Sequence, residues 1–447
     1  MNIFKINRSY IEDRIDPSYY NGRSDFSKFI KLSKIAVVKG GKRIPLGMTY
    51  TTEKTNYLYL RVADMLDGNI DYSALYHIGK DVFDILKSYE ISKNDIVLSI
   101  AGTIGKVVYL KDIPQNNRII LTENCAKIQI KDFSVLPQYL VLLLNLNITQ
   151  NQIELNYIQT TIPKLGLDRI RNLYLPPLPP LSVQQNIVDL YIDAQNKRKQ
   201  ELKESKKLLE SVDDYLLSEL EIELPKKDNS LKNRIFISHF HNVAGGRIDP
   251  LSNTIVLEKL RSNLNNSSFI YLKDVITETK LIETELSSND TYIGLENIGS
   301  NNGNYIKTDE KETISSALRF EKGQILFPKL RPYLNKVYLA EFNGLCSTEF
   351  HVFNAKNIDV NFLYYCLLSR ITLEQTSNLM TGNTLPRLQS SDIAHILIPN
   401  PPLEKQKKIV KHIQQIRNQA KQLKNEADMI LQETKQKIEK MILGEEQ

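Results

Sequence analysis

The amino-acid sequence predicts an α+β protein with an internal duplication, in which two mixed α/β domains are separated and followed by long helices. Three observations predict this fold: a repeat with a period of 222 to 223 residues, strand-like runs in each half, and two long stretches of helical apolar periodicity. Solenoid repeats have periods of about 20 to 50 residues, so a period this long indicates a duplicated domain instead.

The duplication is clearest where each half ends. Residues 160–165 read TTIPKL, and residues 383–388 read NTLPRL. An Asp, the motif PPL, a Gln and an Ile-Val pair follow each copy in the same order. The copies are 223 residues apart at the first proline and 222 at the last valine. The two halves therefore share one scaffold.

Each half begins with short β-branched and aromatic runs, such as residues 57–62 and 337–340, separated by Gly, Asn and Asp. Such runs are typical of strands, and we expect antiparallel or mixed sheets. One apolar helix per half follows. Thr122-Glu123 corresponds to Thr348-Glu349 in the same repeat, whereas the sequences between such anchors differ freely.

Each half closes with a Pro-rich hinge and a long helix. The first helix follows residues 176–180 and is expected to end at about Leu224, where Pro225 stops it. The second follows Pro401-Pro402 and is expected to end near Gly444. Its apolar residues alternate in spacings of four and three, which indicates a coiled-coil seam. The seam comprises Ile409, Ile413, Ile416, Ala420, Leu423, Ala427, Ile430 and Thr434.

A helix of about 40 residues is about 60 Å long, too long to bury its seam against one compact domain. Because each buried Leu or Ile contributes about 1.5 to 3 kcal/mol, we expect the two seams to pack on each other. An antiparallel arrangement gives the molecule an approximate two-fold axis. The predicted domains are residues 1–178 and 225–400, and the predicted spacer helices are residues 179–224 and 401–447.

Composition permits an anionic partner without requiring one, since the net charge is +6 and the pI is about 8.8. The three cysteines lack the spacing of a zinc site or a disulfide framework, which favours a reducing compartment. The N-terminal residues lack the apolar core of a signal peptide, and the apolar run at residues 135–146 is too short to cross a bilayer. We therefore expect a cytoplasmic protein without a membrane partner.

The paired junctions resemble those of the specificity subunits of type I restriction-modification systems. In that family a Thr-Ile/Leu-Pro-Lys/Arg-Leu motif precedes an Asp, Pro-Pro-Leu, a Gln and Ile-Val, and both copies here fit. Residues 41–45, 102–106 and 329–336 also resemble recognition-domain sequences of the family. The resemblance covers essentially the whole chain.

The resemblance implies a subunit that is not an enzyme and binds no cofactor. It implies double-stranded DNA and two modification subunits as partners; those subunits methylate adenine with S-adenosylmethionine. Restriction or translocase subunits, which use ATP and Mg²⁺, are optional additions. Each target-recognition domain would read one half of a split, asymmetric site, and the helices would set the gap. Half-sites one turn apart are separated by about 34 to 36 Å.

Sequence readout requires side chains that reach base edges and others that hold phosphates. Small residues beside a hydroxyl and a cation suit close approach to DNA, and Arg331 is the best candidate for bidentate binding of guanine. The alternatives are a common hairpin at residues 101–106, and a structural turn at Pro163 and Pro386 beside a merely solvated Lys164 or Arg387. The candidate DNA contacts are Lys42, Arg43, Arg61, Thr103, Lys106, Thr161, Lys164, Lys329, Arg331, Lys336, Asn383, Thr384 and Arg387.

The hinges and the outward helix faces are candidates for docking the modification subunits. The alternative is an ordinary solvated coiled-coil surface. The candidate docking residues are Gln184, Lys197, Arg198, Gln406, Lys407 and Lys411.

No catalytic or metal-binding residue is predicted. Residues 400–403, NPPL, resemble the loop of amino-methyltransferases but lack the aromatic that stacks on a flipped base. His239 and His241 lack a third ligand in the sequence nearby. Two other function classes stay open: a standalone DNA-binding repressor or architectural protein, and a coiled-coil scaffold that does not bind DNA.

Overall fold

The computed structural model describes residues 26, 28–66, 68–156, 163–225, 258, 260, 268–284, 291–307, 316–376, 379 and 386–444. The chain forms two compact units, one of residues 1–200 with 426–447 and the other of residues 201–425. Among the described residues, none of the helices combines the length and the apolar character that a transmembrane span requires.

The first unit contains two four-stranded sheets and several helices. Its strands are β1 (Ile30–Lys31), β2 (Ala36–Gly40), β3 (Tyr57–Leu60), β4 (Met65–Leu66), β5 (Asn69–Ile70), β6 (Tyr76–His77), β7 (Glu90–Ile91), β8 (Ile96–Ser99), β9 (Val107–Tyr109), β10 (Arg118–Leu121), β11 (Cys125–Ile130) and β12 (Tyr174–Leu175). Its helices are α1 (Leu32–Ile35), α2 (Lys80–Leu86), α3 (Pro137–Asn145), α4 (Asn147–Asn156), α5 (Leu167–Arg171) and the first half of α6 (Leu181–Glu219).

One sheet of the first unit is antiparallel, in the order β2-β11-β8-β9. The other has the order β6-β3-β10-β7, and β3 and β10 run parallel in it. Helix α3 covers the antiparallel sheet, where Leu140 and Leu143 share a buried core with Ile96 and Ile128. A second core lies beside β3 and β10 and includes Leu60. The predicted mixture of helix and mixed sheet is thus confirmed.

The second unit repeats this arrangement. Its strands are β13 (Phe269–Tyr271), β14 (Ile276–Thr279), β15 (Ile282–Glu283), β16 (Tyr292–Ile293), β17 (Ala317–Phe320), β18 (Ile325–Pro328), β19 (Tyr338–Leu339), β20 (Gly344–Cys346), β21 (Phe350–Ala355) and β22 (Leu397–Pro399). Its helices are α7 (Leu272–Val275), α8 (Val360–Leu368), α9 (Arg370–Thr376), α10 (Ser390–Ala394) and part of α11 (Leu403–Leu443).

The strand orders confirm the duplication. The sheet β14-β21-β18-β19 repeats β2-β11-β8-β9, and the strands β16-β20-β17 repeat β3-β10-β7 with the same directions. The fourth strand differs: β6 pairs with β3 in the first unit, whereas β15 pairs with β17 in the second. The two units therefore share a sheet core and differ at its edges.

In the first unit, the start of α6 packs against the end of α11. Ile187 and Ile438 belong to one buried core. Further along α6, Arg198 pairs with Asp428 at 3.4 Å. The partner's number falls as the position in α6 rises, so the helices are antiparallel in this unit, as predicted.

In the second unit, the end of α6 packs against the start of α11 in the same sense. The hydroxyl of Ser205 donates to the carbonyl oxygen of Ala420 at 2.7 Å. The rings of Tyr215 and His412 have centroids 4.2 Å apart. The small side chain of Ala420 is 1% exposed, which fits its predicted place in the seam.

Helix α6 ends at Glu219, five residues before the expected end at Leu224. Glu221 has a φ of 56°, in the left-handed region, and the amide of Ile222 donates to the carbonyl of Leu217 at 3.0 Å. This is the geometry of a Schellman motif, which closes the helix before Pro225 acts. Helix α11 ends at Leu443 beside Gly444, as expected.

The glutamine of the first repeated junction is buried. Gln184 is 0% exposed, and its Oε1 accepts from the amide of Leu136 at 2.9 Å. Its Nε2 donates to the carbonyls of Ser134 and Pro179 at 2.7 and 2.8 Å. Leu136 precedes α3, so the side chain satisfies an amide at a helix start that has no partner within the helix.

Gln406 has the same role in the second unit. Its Oε1 accepts from the amide of Asp359, which precedes α8, at 3.0 Å, and its Nε2 donates to the carbonyl of Pro401 at 2.9 Å. The expectation that Gln184 and Gln406 lie on outward docking faces is therefore wrong. Both are retained in the repeat because they join the long helix to the first apolar helix of each unit.

The other candidate docking residues lie on or near the helix surface. Lys197, Lys407 and Lys411 are exposed. Arg198 is half-buried by its pair with Asp428, and it therefore contributes to the helix–helix contact.

Candidate nucleic-acid interface

In each unit a three-residue turn joins the mixed sheet to the antiparallel sheet. It comprises residues 122–124 between β10 and β11, and residues 347–349 between β20 and β21. We call it the central turn.

The central turn of the first unit holds several loops together. The amide of Thr122 donates to the carbonyl of Leu60 at 3.1 Å, and the amide of Ile100 donates to Asn124 at 2.8 Å. The amide of Gly41 donates to the carbonyl of Cys125, which directly follows the turn, at 3.0 Å. The loops after β2, β3 and β8 therefore meet at one place.

The second unit repeats these bonds. The amide of Ser347 donates to the carbonyl of Ile293 at 3.0 Å, and the amide of Lys329 donates to Glu349 at 2.7 Å. By these bonds Glu349 is equivalent to Asn124 of the first unit. The sequence match of Thr122-Glu123 with Thr348-Glu349 is thus shifted by one residue, and the two turns carry their carboxylates at adjacent positions.

In the first unit the carboxylate of the turn pairs with Arg43. The Nε of Arg43 donates to Oε1 of Glu123 at 2.6 Å. Oε2 of Glu123 accepts from the hydroxyl of Thr122 at 2.9 Å and from that of Tyr59 at 3.4 Å. Burial opposes ionisation, but the hydrogen bonds from Arg43, the backbone and Thr122 outweigh it, so the pKa of Glu123 is lowered. Lys42 is exposed beside this pair, and its carbonyl accepts from Tyr59 at 2.8 Å.

Arg61 lies in an aromatic group near this pair. Its Cζ is 3.8 Å from the centroid of the Tyr76 ring, and Tyr76 stacks on Tyr50 with centroids 4.4 Å apart. Asp64 accepts from both Nε and Nη2 of Arg61, at 3.1 and 2.7 Å. Tyr50 and Tyr76 are 38% and 42% exposed, so they offer flat surfaces on which a base or sugar can pack.

Thr103, Lys106 and Lys164 lie on or next to the loop that the amide of Ile100 ties to the same turn. Thr103 is exposed, and its carbonyl accepts from the hydroxyl of Ser99 at 2.6 Å. The Lys106 ammonium donates to the carbonyl of Met65 at 3.2 Å. Lys164 is exposed and forms an isolated antiparallel β-bridge with Ala101, which follows Ile100. Thr103 and Lys106 therefore lie on the β8–β9 loop and Lys164 on the segment paired with it. The backbone bonds of Ile100 and Gly41 join this loop and the loop of Lys42 and Arg43 to the central turn and the residue that follows it.

In the second unit the carboxylate of the turn pairs with Arg387. Glu349 accepts from Nη2 and Nε of Arg387 at 2.7 and 3.1 Å. The Lys329 ammonium donates to the carbonyl of Thr348 at 2.8 Å. Burial lowers the pKa of Lys329, and the charges of Glu278 and Glu349 partly oppose this effect.

Arg331 and Lys336 differ in how the fold uses them. Arg331 is exposed, and its φ of 49° lies in the left-handed region, which is uncommon for a residue with a side chain. Its amide donates to the carbonyl of Pro386 at 2.8 Å. The Lys336 ammonium donates to the carbonyl of Leu295 at 2.8 Å, much as Lys106 is held in the first unit. Arg331 is thus the more available of the two for DNA.

Three candidate residues, Thr161, Asn383 and Thr384, lie outside the described residues. Sequence reasoning did not identify Glu123 and Glu349 as parts of a site, although it found them as anchors of the repeat. A retained carboxylate within a cationic surface is the signal that could have found them. Tyr50 and Tyr76 carry no comparable signal, because single tyrosines in a loop and a two-residue strand are ordinary.

Replacing Arg387 by Ala should raise the pKa of Glu349, since the hydrogen bond from Arg387 is the main cause of its lowering below the ordinary value of 4.5. A carboxylate with a lowered folded-state pKa stabilises the fold above its ordinary pKa, and this contribution is lost as the pH falls through the folded value. The NMR titration of labelled glutamate carboxyls measures the change. Lys322→Ala is the control, because Lys322 is exposed and is not among the groups that shift Glu349. An unchanged Glu349 titration in Arg387→Ala would contradict the assignment.

In the described part of the chain, no cluster of three or more His, Cys, Asp or Glu side chains could hold a metal ion. The pair His239 and His241 lies outside it. Cys125, Cys346 and Cys366 are free and buried, and burial raises the pKa of Cys125 and Cys346 to about 12. They are therefore core residues, poorly suited to nucleophilic chemistry.

A family model described as the type I restriction modification DNA specificity domain matches residues 25–210 and 265–430. The two matched ranges fall one in each half of the chain and together cover more than half of it. Each range includes one central turn.

Similar proteins and structures agree with this match. The EcoDI type I restriction enzyme specificity subunit of Escherichia coli is 36% identical over 107 residues, which are 24% of this chain and 24% of that subunit. The EcoBI specificity subunit of the same organism is 28% identical over 130 residues, which are 29% of this chain and 26% of that subunit. The matched region thus spans about a quarter of the length of these relatives. A solved structure concerning complex assembly and conformational transition of the type I R-M system has a TM-score of 0.52 and 15% identity, and covers 93% of this chain and 96% of its own. At that identity it supports the fold alone.

Proposed function

Because this chain belongs to the family of type I restriction modification DNA specificity domains, we propose that it is the subunit that recognises the DNA sequence in a type I restriction-modification complex. The chain itself is not an enzyme. Adenine methylation, with S-adenosylmethionine, comes from two modification subunits, and ATP-dependent and Mg²⁺-dependent restriction subunits are optional partners.

The observation that carries the proposal is the central turn. Both units build the same turn at the junction of two sheets, and both surround it with cations: Lys42, Arg43 and Lys164 in the first unit, and Arg331 and Arg387 in the second. The scaffold is common, but the cations come from different loops. Such a pair of surfaces suits the two different halves of an asymmetric DNA site.

The long helices would set the gap between the half-sites. Helices α6 and α11 have 39 and 41 residues, and a helix of about 40 residues is about 60 Å long. The exposed Lys197, Lys407 and Lys411 are candidates for docking the modification subunits. A protein that recognises DNA as part of such a complex is expected in the cytoplasm.

The test is co-expression of this chain with candidate adenine methyltransferase subunits, followed by mapping of methylated adenines in the host DNA. We expect the subunits to co-purify and methylation to occur at one split motif with a fixed gap. A complex without any methyltransferase, or methylation without a split motif, would contradict the proposal. Co-purification separates it from a standalone repressor, and DNA binding separates it from a scaffold.

Replacing Arg331 by Ala in that complex should relax sequence preference at one half-site only. A good bidentate contact to guanine discriminates by about 1 to 3 kcal/mol, which corresponds to about 5-fold to 150-fold. The measurement is methylation of duplexes in which each base pair of the motif is changed in turn. Equal loss at both half-sites would contradict the role of Arg331.

A further inference from the structure

The carboxylate of the central turn occurs in both units, yet it pairs with arginines from different loops. In the first unit Glu123 binds Arg43, which follows β2, and in the second Glu349 binds Arg387, which lies between α9 and α10. We propose that each carboxylate is a positioning residue that orients its arginine toward the major-groove edge of a guanine. This inference rests on the proposed function.

The geometry of Arg43 fits such a reader. Its side chain is 80% exposed, and its Nε is the atom that donates to Glu123. Its terminal Nη1 and Nη2 make no hydrogen bond to the described residues. A guanidinium held by Nε keeps its forked end for two parallel hydrogen bonds, and guanine O6 and N7 are the major-groove acceptors that match this fork.

The carboxylate is itself held in place. Its second oxygen accepts from Thr122, within the turn, and from Tyr59, which is 3% exposed. Tyr59 also donates to the carbonyl of Lys42, the residue before Arg43. Both the base of the Arg43 loop and the carboxylate that binds its guanidinium are thus fixed to one strand.

Stability does not account for this pair. An exposed ion pair contributes about 0 to 1 kcal/mol, and Arg43 is highly exposed. A carboxylate on a surface that approaches phosphates is unfavourable unless it orients a cation, because it repels them. Glu123 therefore disfavours binding of a phosphate by Arg43 and holds the guanidinium in one orientation. This difference favours specific binding to a base over non-specific binding to the DNA backbone.

The one-residue shift of the carboxylate explains why a different arginine is chosen. Glu349 is the last residue of its turn, and from there it binds Nε and Nη2 of Arg387. The first unit has Asn124 at that position and Lys164 in place of Arg387. Glu123 is the middle residue of its turn and faces Arg43 instead. The two arginines therefore reach the turn from different loops and contact different positions of their half-sites.

The experiment uses the full chain in complex with its methyltransferase subunits, and compares Arg43→Ala, Glu123→Gln and Glu349→Gln. Each base pair of the split motif is replaced in turn, and the methylation rate is measured for every duplex. We expect Arg43→Ala and Glu123→Gln to reduce discrimination at one and the same G·C pair by about 5-fold to 150-fold. Glu349→Gln should do so at one pair of the other half-site.

Controls separate positioning from folding and from charge. Lys164→Ala removes an exposed cation of the first unit without touching the pair, and should weaken binding to all sequences alike. Thermal unfolding of Glu123→Gln should match that of the wild type, and Glu123→Asp, which retains the charge, should keep part of the discrimination. A Glu123→Gln complex with unchanged base preferences, or with equal loss at every position, would overturn this inference but not the proposed function. A wild-type complex that reads no split motif would overturn the proposed function as well.

Discussion

Gly41→Ala is expected to disrupt the candidate DNA surface of the first unit. A Cβ on Gly41 would lie 2.1 Å from the carbonyl oxygen of Thr122 and 2.4 Å from that of Leu121. These are backbone atoms of the central turn and of β10, so the turn or that strand must move. Overpacking of a tight site costs about 1 to 3 kcal/mol and occasionally more, and we expect the upper end here because no flexible side chain can yield.

The measurement is DNA binding by the assembled complex, with each half-site scrambled in turn. A displaced turn would move Arg43 away from its contact, so binding should weaken at one half-site, by about 5-fold to 150-fold, which is the discrimination of one good bidentate pair. Gly166→Ala is the control, because its Cβ would meet only the side chain of Arg169 at 4.0 Å. If complexes with Gly41→Ala and Gly166→Ala bound DNA equally well, the assignment of the central turn to the DNA surface would be wrong.

Gln406→Leu should destabilise the second unit by about 2 to 6 kcal/mol. The substitution keeps a side chain of similar size but removes its hydrogen bonds to the amide of Asp359 and the carbonyl of Pro401. A buried polar group without a partner costs about 1 to 3 kcal/mol, and two groups lose their partner here. Urea unfolding of the full chain measures the shift.

The neighbouring exposed residue supplies the matched control. Lys407→Leu changes the same turn of α11 at the surface and should alter the free energy of unfolding by less than about 0.5 kcal/mol. Gln184→Leu should reproduce the loss in the first unit, since Gln184 makes the equivalent bonds. If the urea midpoint of Gln406→Leu equalled that of Lys407→Leu, water would be satisfying the groups that Gln406 binds, and the prediction would be wrong.

The sequence predicted the large features of the fold because they follow from periodicity. The repeat located both units, and the seam through Ala420 predicted that the two long helices pack on each other. The end of α6 was missed because a left-handed Glu221 has no clear sequence signal, whereas Gly444 does. Gln184 looked like a surface residue because glutamine is usually exposed; its burial depends on the start of α3, which is distant in sequence.

The candidate site was predicted in part. Cations such as Arg43 and Arg387 stand out in a sequence, but their partners Glu123 and Glu349 depend on which loops the sheets bring together. The one-residue shift between the two turns could not be found by sequence matching, because Thr-Glu aligned with Thr-Glu better than the true equivalents do. The backbone bonds of the two turns, such as those of Ile100 and Lys329, reveal it.

The second unit is one uninterrupted stretch of chain, residues 201–425, whereas the first is assembled from the stretches on either side of it. In topological terms one unit is an insert within the other, and both joints fall inside helices, α6 and α11. A gene exchange across those two points would transplant a complete insert and leave the host unit with its own core, including Ile187 and Ile438. Recombination between related genes could thus create a new hybrid without dismantling either part.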